Sequence, residues 1–311
     1  YLSTLSSYKK KKRNTPAVSP HTAHIMAAAD MLFVVVSFVA EAPTLGFGDV
    51  FNLLDFAISI VACYEFRVAT ASHRRARPAL ESLVACYILS FGGTTVTGVL
   101  LGQPPGWMVG NATFLSMLLA WTLVFHSPSD AAFRALRRVA PLRRAFELLG
   151  VVSSAHCNST WGIEKVLSAE HVEARRSVVL AVACGVASTC GGGVIGLALG
   201  LMSDERGGWR LRTPPTLSSP SATVKTALLG TLLYYVATDP HGHVGALLRS
   251  GDSYTLSREH ATFAAFALKL AVWAWDAVLE RGDPFAAILG ALRSARAEGA
   301  DSAPGRRREV F

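Results

Sequence analysis

The sequence predicts an all-α membrane protein with seven transmembrane helices, built from two inverted three-helix repeats plus a seventh helix. The first reason is composition: of 311 residues, 51% are hydrophobic and 17% are charged, against about 25% charged residues in an ordinary soluble domain. The second is two stretches without Asp, Glu, Lys or Arg, 82–129 and 177–203, each longer than a single buried core helix. The third is an internal repeat, described below. These observations disfavour a soluble enzyme, and the net charge of +8 is better explained by membrane orientation than by nucleic-acid binding.

The seven predicted spans are runs of roughly 20 apolar residues, the length that crosses a bilayer. They lie at 47–66, 80–101, 111–127, 141–158, 177–201, 222–238 and 260–280. Residues 25–40 are also apolar, but the segment is shorter than a span and is interrupted by Asp30. It therefore predicts an interfacial helix. The chain then divides into an N-terminal tail with a short apolar helix (1–46), a seven-span domain (47–281) and a basic C-terminal tail (282–311).

The Lys and Arg residues indicate the orientation, because they are enriched on the cytoplasmic side of membrane proteins. Eighteen of them fall in the connections on one side, which includes the C-terminal tail, and five in those on the other. We therefore expect a cytoplasmic C-terminus and, because seven is an odd number of spans, an N-terminus on the opposite side. The basic run 9–13 is then on the non-cytoplasmic side, but it lies more than 30 residues before the first span, where its influence is weak. The sequons at Asn111 and Asn158 also fall on the non-cytoplasmic side.

The internal repeat relates the second span to the fifth and the third to the sixth. Two glycine runs have the same spacing of five and four: Gly93, Gly98 and Gly102, and Gly191, Gly196 and Gly200. The spans that follow them also align, at a constant offset of 110 residues. Because three spans separate the two copies, and an odd number of crossings reverses direction, the two halves are expected to be inverted. Such repeats place the functional path between the halves.

The glycine clusters at mid-span have two interpretations. Gly92–Gly93 and Gly191–Gly193 could loosen their helices and free backbone carbonyls to face water or ions, or they could allow close helix packing. We assign these clusters to a pore or hinge, and the trailing glycines to packing. No strand and no Gly-Lys-Ser/Thr accompanies the clusters, so they are not phosphate loops. His241 and His243 lack a Cys or acidic partner at ligand spacing, so we predict no metal site.

Several short motifs resemble, in order, those of the trimeric intracellular cation (TRIC) channels of endoplasmic and sarcoplasmic reticulum. The resemblance covers roughly residues 45–290, and no one motif carries it alone. The motifs are Asp55, the segment 72–78, Phe91-Gly92-Gly93, the segment 100–104, Trp121 to Phe125 with Pro128 and Asp130, the cluster 191–193, Lys225 with Gly230, and Pro284-Phe285.

The resemblance implies a homotrimer in an intracellular membrane, with a luminal N-terminus, a cytoplasmic C-terminus and a pore in each subunit. It implies potassium permeation that supplies counter-ion flow during calcium release. The residues form no catalytic constellation, so we predict no enzymatic activity, no cofactor and no nucleic-acid partner. The residues that the resemblance points to are the pore or hinge residues Gly92, Gly93, Gly191, Gly192, Gly193 and Asp55, the gating charge Lys225, and the structural positions Trp121, Pro128, Asp130 and Gly230. Arg143 and Arg144 are the candidate contacts for anionic lipid headgroups.

Two departures from the family pattern concern lipid binding and gating. Where animal members carry Lys-Glu-Val and a following Arg in the fourth span, this chain has Gly150-Val151-Val152 and Ser154, and Cys190 stands where a Lys usually precedes the fifth-span glycines. We therefore expect weak, salt-sensitive lipid binding without selectivity for an inositol headgroup.

Five ionisable residues are expected inside or beside the spans, where they cost at least a few kcal/mol unless they are paired or hydrated. They are Asp55, Glu147, Lys225, Lys269 and Asp276. Lys225 lies close enough to a span end to reach the membrane surface. If it instead acts on the ion path, its ammonium should pair with an acidic group such as Asp55, or bind a carbonyl or lipid.

Two other function classes fit part of the pattern. A secondary transporter also uses inverted repeats with broken helices, and sequence physics alone does not separate it from a channel. A seven-span receptor has no need of an inverted repeat, which makes it the weaker alternative.

Overall fold

The computed structural model describes residues 20–71, 78–202, 211, 213–243, 246, 255–277, 279 and 282–301. Three segments with predictions lie outside these ranges: the basic run 9–13, most of the segment 72–78 and the last ten residues of the C-terminal tail. The predictions for them stay predictions. The described residues are mostly helical, as predicted. Their two strands, β1 (Gly46–Phe47) and β2 (Phe51–Asn52), form an antiparallel hairpin.

Thirteen α-helices lie within the described ranges. They are α1 (Pro20–Glu41), α2 (Leu53–Ala69), α3 (Ala79–Leu100), α4 (Gly106–Val109), α5 (Asn111–His126), α6 (Ala131–Arg138), α7 (Ala140–Asn158), α8 (Glu164–Leu167), α9 (Val172–Arg176), α10 (Val178–Ala198), α11 (Ala222–Thr238), α12 (Arg258–Ala277) and α13 (Pro284–Asp301). A π-helix, Ser159–Ile163, joins α7 to α8, and 3₁₀ turns occur at Ala42–Thr44, Pro128–Asp130 and Pro215–Leu217.

A helix lies at each predicted span: α2, α3, α5, α7, α10, α11 and α12. By length and composition, two helices of the described part, α3 and α10, are long and apolar enough to cross a membrane. The predicted start of the first span at residue 47 is wrong, because the hairpin occupies residues 46–52. Helix α2 begins at Leu53, where the side chain of Asn52 accepts a hydrogen bond from the backbone N–H of Asp55 at 3.0 Å and caps the first turn.

Helices α3 and α10 end in the same C-terminal turn. In α3 the N–H of Gln103 donates to the carbonyl of Gly98 at 2.8 Å, and Gly102 has φ 64°. In α10 the equivalent bond reaches the carbonyl of Gly196 at 2.9 Å, and Gly200 has φ 63°. A left-handed residue at this position favours glycine. Gly102 and Gly200 therefore end helices, which corrects their assignment to packing.

The helices pack through three clusters of buried apolar side chains. One lies among α2, α3, α5 and α6 around Phe66 and Met117, a second between α10, α11 and the π-helix around Tyr234, and a third where α1, α2, α7 and α12 meet, around Leu54. Large apolar side chains also cover the outer surface, with Val179 80% exposed and Leu80 71% exposed. Apolar surfaces of this extent indicate contact with lipid or with another subunit.

Candidate functional site

The glycine clusters bring the backbones of α3 and α10 into contact. A Cβ added at Gly93 would lie 2.3 Å from the carbonyl oxygen of Ala187, and one at Gly192 would lie 2.5 Å from that of Leu89. A Cβ at Gly191 would lie 2.8 Å from the Cα of Gly93. Real Cβ atoms do not approach backbone atoms this closely, so these positions require glycine for packing.

The expected interruption of the two helices is absent. Both α3 and α10 remain helical through their clusters, and Gly92 faces Gly192, whose Cα would lie 3.1 Å from an added Cβ. Of the two interpretations of these glycines, a hinge or close helix packing, the geometry agrees with close packing. Gly193 differs, because nothing lies within 4 Å of its missing Cβ and it lines a cavity.

Hydroxyl groups bridge α3 and α10 next to the crossing. Thr97 and Ser188 are hydrogen-bonded at 2.7 Å, both are buried, and Ser188 also donates to the carbonyl of Trp161 at 3.1 Å. Cys190, where the resemblance leads us to expect a lysine, is buried on the same helix. The crossing is thus fixed by polar contacts as well as by close packing.

The cavity has a volume of about 900 Å³ and lies between α2, α3, α7, α10, α11, α12 and the start of α13. Charged side chains line it at the ends of these helices: Glu65, Arg143, Arg144, Glu147, Asp276 and Asp283. Hydroxyl and thiol groups also line it, together with one ammonium: Ser90, Ser153, Ser154, Cys157, Ser188, Thr189, Thr223, Thr226 and Lys269. The cavity thus has charged side chains at its mouth and hydroxyl groups inside.

The ammonium at the inner end belongs to Lys269, which is 5% exposed. It donates to the hydroxyl of Ser154 at 2.7 Å and lies near the thiols of Cys157 and Cys190. We included Lys269 among five ionisable candidates but favoured Lys225. The signal that distinguishes them is position: Lys269 lies eight residues from the nearer end of α12, whereas Lys225 is in the first turn of α11.

Gly230 provides space beside this lysine. A Cβ there would lie 3.5 Å from Cε of Lys269 and 3.0 Å from Oδ1 of Asn158. Asn158 is fully buried, and its amide nitrogen is within hydrogen-bond distance of Gly185, Ala227 and Thr231, on α10 and α11. Its sequon is therefore not a glycosylation site in the folded chain. Sequence reasoning missed Asn158 because the partners of its amide lie on other helices.

Lys225 forms an ion pair with Asp283, with 2.7 Å between Nζ and Oδ2. Its suggested pairing with Asp55 is wrong, because Asp55 instead accepts a hydrogen bond from Thr113 at 2.6 Å. The hydrogen bond from Lys225 holds the pKa of the Asp283 carboxyl below its usual range. Asp283 also accepts from the backbone N–H of Phe285 at 2.9 Å, so the same carboxylate caps α13.

The remaining predicted positions lie at the edges of this arrangement. Trp121 donates to the hydroxyl of Ser82 at 3.1 Å, and Asp130 pairs with Arg67 at 2.9 Å. Pro128 begins the 3₁₀ turn that places Asp130 there.

The candidate lipid contacts lie at the mouth of the cavity. Arg143 pairs with Glu147 at 3.2 Å, and Arg144 lines the same cavity.

Of the two histidines, His241 lines a second cavity of about 690 Å³. Both ring nitrogens of His241 are hydrogen-bonded, Nε2 to the carbonyl of Arg175 and Nδ1 to the hydroxyl of Tyr235, each at 2.8 Å. His241 thus ties the end of α11 to α9. Within the described ranges, no group of three His, Cys, Asp or Glu side chains is placed to hold a metal ion.

Comparison with known proteins agrees with this arrangement. Residues 69–245 match the model of the TRIC channel family. Trimeric intracellular cation channel type B-A of Xenopus laevis is 25% identical over 194 residues, 62% of this chain and 63% of the relative. Type 1B.2 of Caenorhabditis elegans is 27% identical over 154 residues, 49% of this chain and 45% of the relative. The chain thus spans less than two thirds of the length of these relatives.

Two solved structures share the fold. One, of TRIC counter-ion channels, has a TM-score of 0.57 at 19% identity and covers 73% of this chain and 93% of that one. The other, a C. elegans trimeric intracellular cation channel with bound Ca²⁺, has a TM-score of 0.56 at 18% identity and covers 81% of this chain and 99% of that one. With the family match over more than half of its length, the chain belongs to the TRIC channel family.

Proposed function

We propose that this protein is a potassium-permeable monovalent cation channel of an intracellular membrane, assembled as a homotrimer and supplying counter-ion flow during calcium release. The observation that carries the proposal is the cavity of about 900 Å³ with charged side chains at its mouth and hydroxyl groups inside. The names of the related proteins support the cation, the trimer and the intracellular membrane. We place the channel in the endoplasmic reticulum, with the mouth of the cavity on the cytoplasmic side, where the basic residues are concentrated.

We also propose that seven helices cross the membrane as two inverted three-helix repeats plus α12. The matching glycine turns at the ends of α3 and α10 support this arrangement. So does the contact between equivalent glycines, since Gly93 of one half meets Gly191 of the other. A pseudo-twofold axis between the halves would pass through this crossing, next to the cavity.

Arg143 and Arg144 are proposed as weak contacts for anionic lipid headgroups, at about 1 kcal/mol each. Because Arg143 is already paired with Glu147, its attraction for lipid is partly neutralised. Binding to inositol bisphosphate vesicles that persists at high salt would contradict this proposal.

Recording from the purified protein in planar bilayers tests the function. We expect unitary current steps that reverse near the potassium equilibrium potential in a potassium chloride gradient. A secondary transporter, which no observation on the structure favours, would give transport without unitary steps. Steps that reverse at the chloride potential would contradict a cation channel.

A cavity-filling variant tests the path. Gly193→Phe adds a ring inside the cavity at a position with open space, so we expect assembly to persist and conductance to fall severalfold. Gly290→Phe is the matched control, because Gly290 also lies in a helix with open space around it, but not on the cavity. Equal conductance in the two variants would exclude the cavity as the path.

A further inference from the structure

Helix α13 is attached to the rest of the protein at its first turn. Pro284 is buried there, and the carboxylate of Asp283 both caps the helix and pairs with Lys225. From 286 to 294, by contrast, every residue is exposed. The start of α13 is therefore fixed, whereas this exposed part is not packed against the described helices.

An apolar stripe runs along the exposed part of α13. Phe285, Ile288, Leu289 and Leu292 follow the spacing i, i+3, i+4, i+7, which places them on one face of a helix, and Ser294 lies on the opposite face. Ile288 is 54% exposed, Leu289 50% and Leu292 62%. Large apolar side chains exposed together on one face indicate a surface that binds a partner.

The charges beside the stripe indicate the chemistry of that partner. Residues 284–297 contain two arginines, Arg293 and Arg296, and no acidic residue. Arg293 directly follows the last residue of the stripe and is exposed. An apolar face with basic residues beside it is typical of helices that lie in the interface of an anionic membrane.

The position of α13 in the chain agrees with a membrane surface. The helix follows α12, the last of the predicted spans, and Gly282 between them has φ 68°, a conformation in which the chain can turn sharply. Gly282, Asp283 and Pro284 also line the cavity, whose mouth we placed on the cytoplasmic side. A helix that begins there can lie along the cytoplasmic leaflet, whose anionic lipids attract arginine.

We propose that α13 lies on the cytoplasmic surface of the membrane, with Ile288, Leu289 and Leu292 among the lipid acyl chains and Arg293 among anionic headgroups. The proposal goes beyond the channel function and does not require conduction. This surface is separate from the candidate lipid contacts at the mouth of the cavity, which belong to α7. The other candidate cover for the stripe is a second subunit, and the experiment distinguishes the two.

Spin labels on the two faces of α13 test its position. Leu289→Cys places a nitroxide on the stripe, and Ser294→Cys places one on the opposite face, in the full chain reconstituted into nanodiscs that contain phosphatidylserine. The five native cysteines are buried or half-buried, and protein without either substitution gives the background labelling. We expect oxygen, which concentrates among acyl chains, to relax the label at 289, and a water-soluble nickel chelate to relax the label at 294.

Two results would overturn the proposal. Relaxation of the label at 289 by the nickel chelate would show that the stripe faces water. A label at 289 that neither oxygen nor the chelate reaches would show that protein, such as a second subunit, covers the stripe. Neither result depends on unitary current, so the position of α13 and the channel function are tested separately.

The charge of the lipid tests the role of Arg293. In anionic nanodiscs, Arg293→Gln should lower the ratio of membrane-bound to free α13 by about fivefold, which is the contribution of one arginine near an anionic surface. Arg134→Gln is the matched control, because it removes an exposed arginine from α6 and should leave this ratio unchanged. Equal protection of the label at 289 in Arg293→Gln and in the control would overturn the contact with anionic headgroups.

Discussion

Arg67, at the end of α2, is held by several groups of the chain at once. Its guanidinium pairs with Asp130, lies 4.2 Å from the ring centroid of Phe133, and donates to the carbonyl of Val124. Such an arrangement suits Arg, whose planar group forms ion pairs and stacks on aromatic rings at the same time. Lys269 has no comparable set of partners, so the charge at the centre of the molecule is the less constrained of the two.

The Lys225–Asp283 pair should act as one unit. Its side chains are 30% and 29% exposed, so we expect an effect at the level of surface pairs, about 0.2–1 kcal/mol. Lys225→Gln and Asp283→Asn should each change open probability by no more than about fivefold, and the double variant should add nothing. Asn at position 283 can still cap α13, so Asp283→Asn removes the ion pair but keeps the helix cap. A Lys225→Gln effect that persists in the Asp283→Asn background would show that Lys225 acts independently.

The pH dependence of this pair follows from the lowered pKa of Asp283. A carboxyl with a lowered pKa in the folded state contributes stability above its unfolded value, about 3.9, and loses it as the pH falls through the folded value. Gating differences between the wild type and Asp283→Asn should therefore be constant from about pH 5 to 8. A difference that changes across this range would point to another titrating group.

At the scale of elements, α3 and α10 depend on each other. At the crossing, the glycines of each helix meet the backbone of the other. Close backbone contact of this kind lets helices associate in lipid, where removal of apolar surface from water no longer drives packing. The crossing is therefore a structural centre of the molecule, and the cavity beside it depends on its integrity.

Gly93→Ala should destabilise the protein although Ala favours helix. The added methyl would overlap the carbonyl of Ala187, and overpacking of this kind costs about 1–3 kcal/mol. Gly193→Ala, with open space around it, should instead gain up to about 1 kcal/mol of helix propensity. Thermal unfolding in detergent, with trimer yield by size-exclusion chromatography, measures both. Equal stability of the two variants would contradict close backbone contact between α3 and α10 at Gly93. Because bulk at this position threatens assembly, Gly93→Leu is a poor probe of conduction alone.

At the scale of the whole molecule, orientation depends on the excess of basic residues on one side. A tag after Phe311 should be accessible from the cytosol, and an acceptor site in an extended 239–259 loop should be glycosylated in microsomes. If the tag and the loop lie on the same side of the membrane, the predicted number of spans is wrong. If the tag is luminal and the loop cytosolic, the orientation is wrong.

The sequence by itself determined the helical class, the apolar segments at which α2, α3, α5, α7, α10, α11 and α12 form, and the family. Each depends on signals that are local or periodic: apolar runs of bilayer length, the repeated glycine spacing, and motifs in a fixed order. It also indicated the ionisable residues that membrane burial makes costly, including Lys269. It did not distinguish among them, because the cost of a buried charge depends on partners contributed by other helices.

The tertiary structure alone decided those partners. Asp283 and Lys225 are 58 residues apart, and Lys269 and Ser154 are 115 apart, so no local pattern connects them. The same is true of the glycines: whether a cluster bends a helix or admits a neighbouring backbone depends on what packs against it. Sequence spacing describes one helix at a time, whereas close packing and ion pairing are properties of helices brought together from distant parts of the chain.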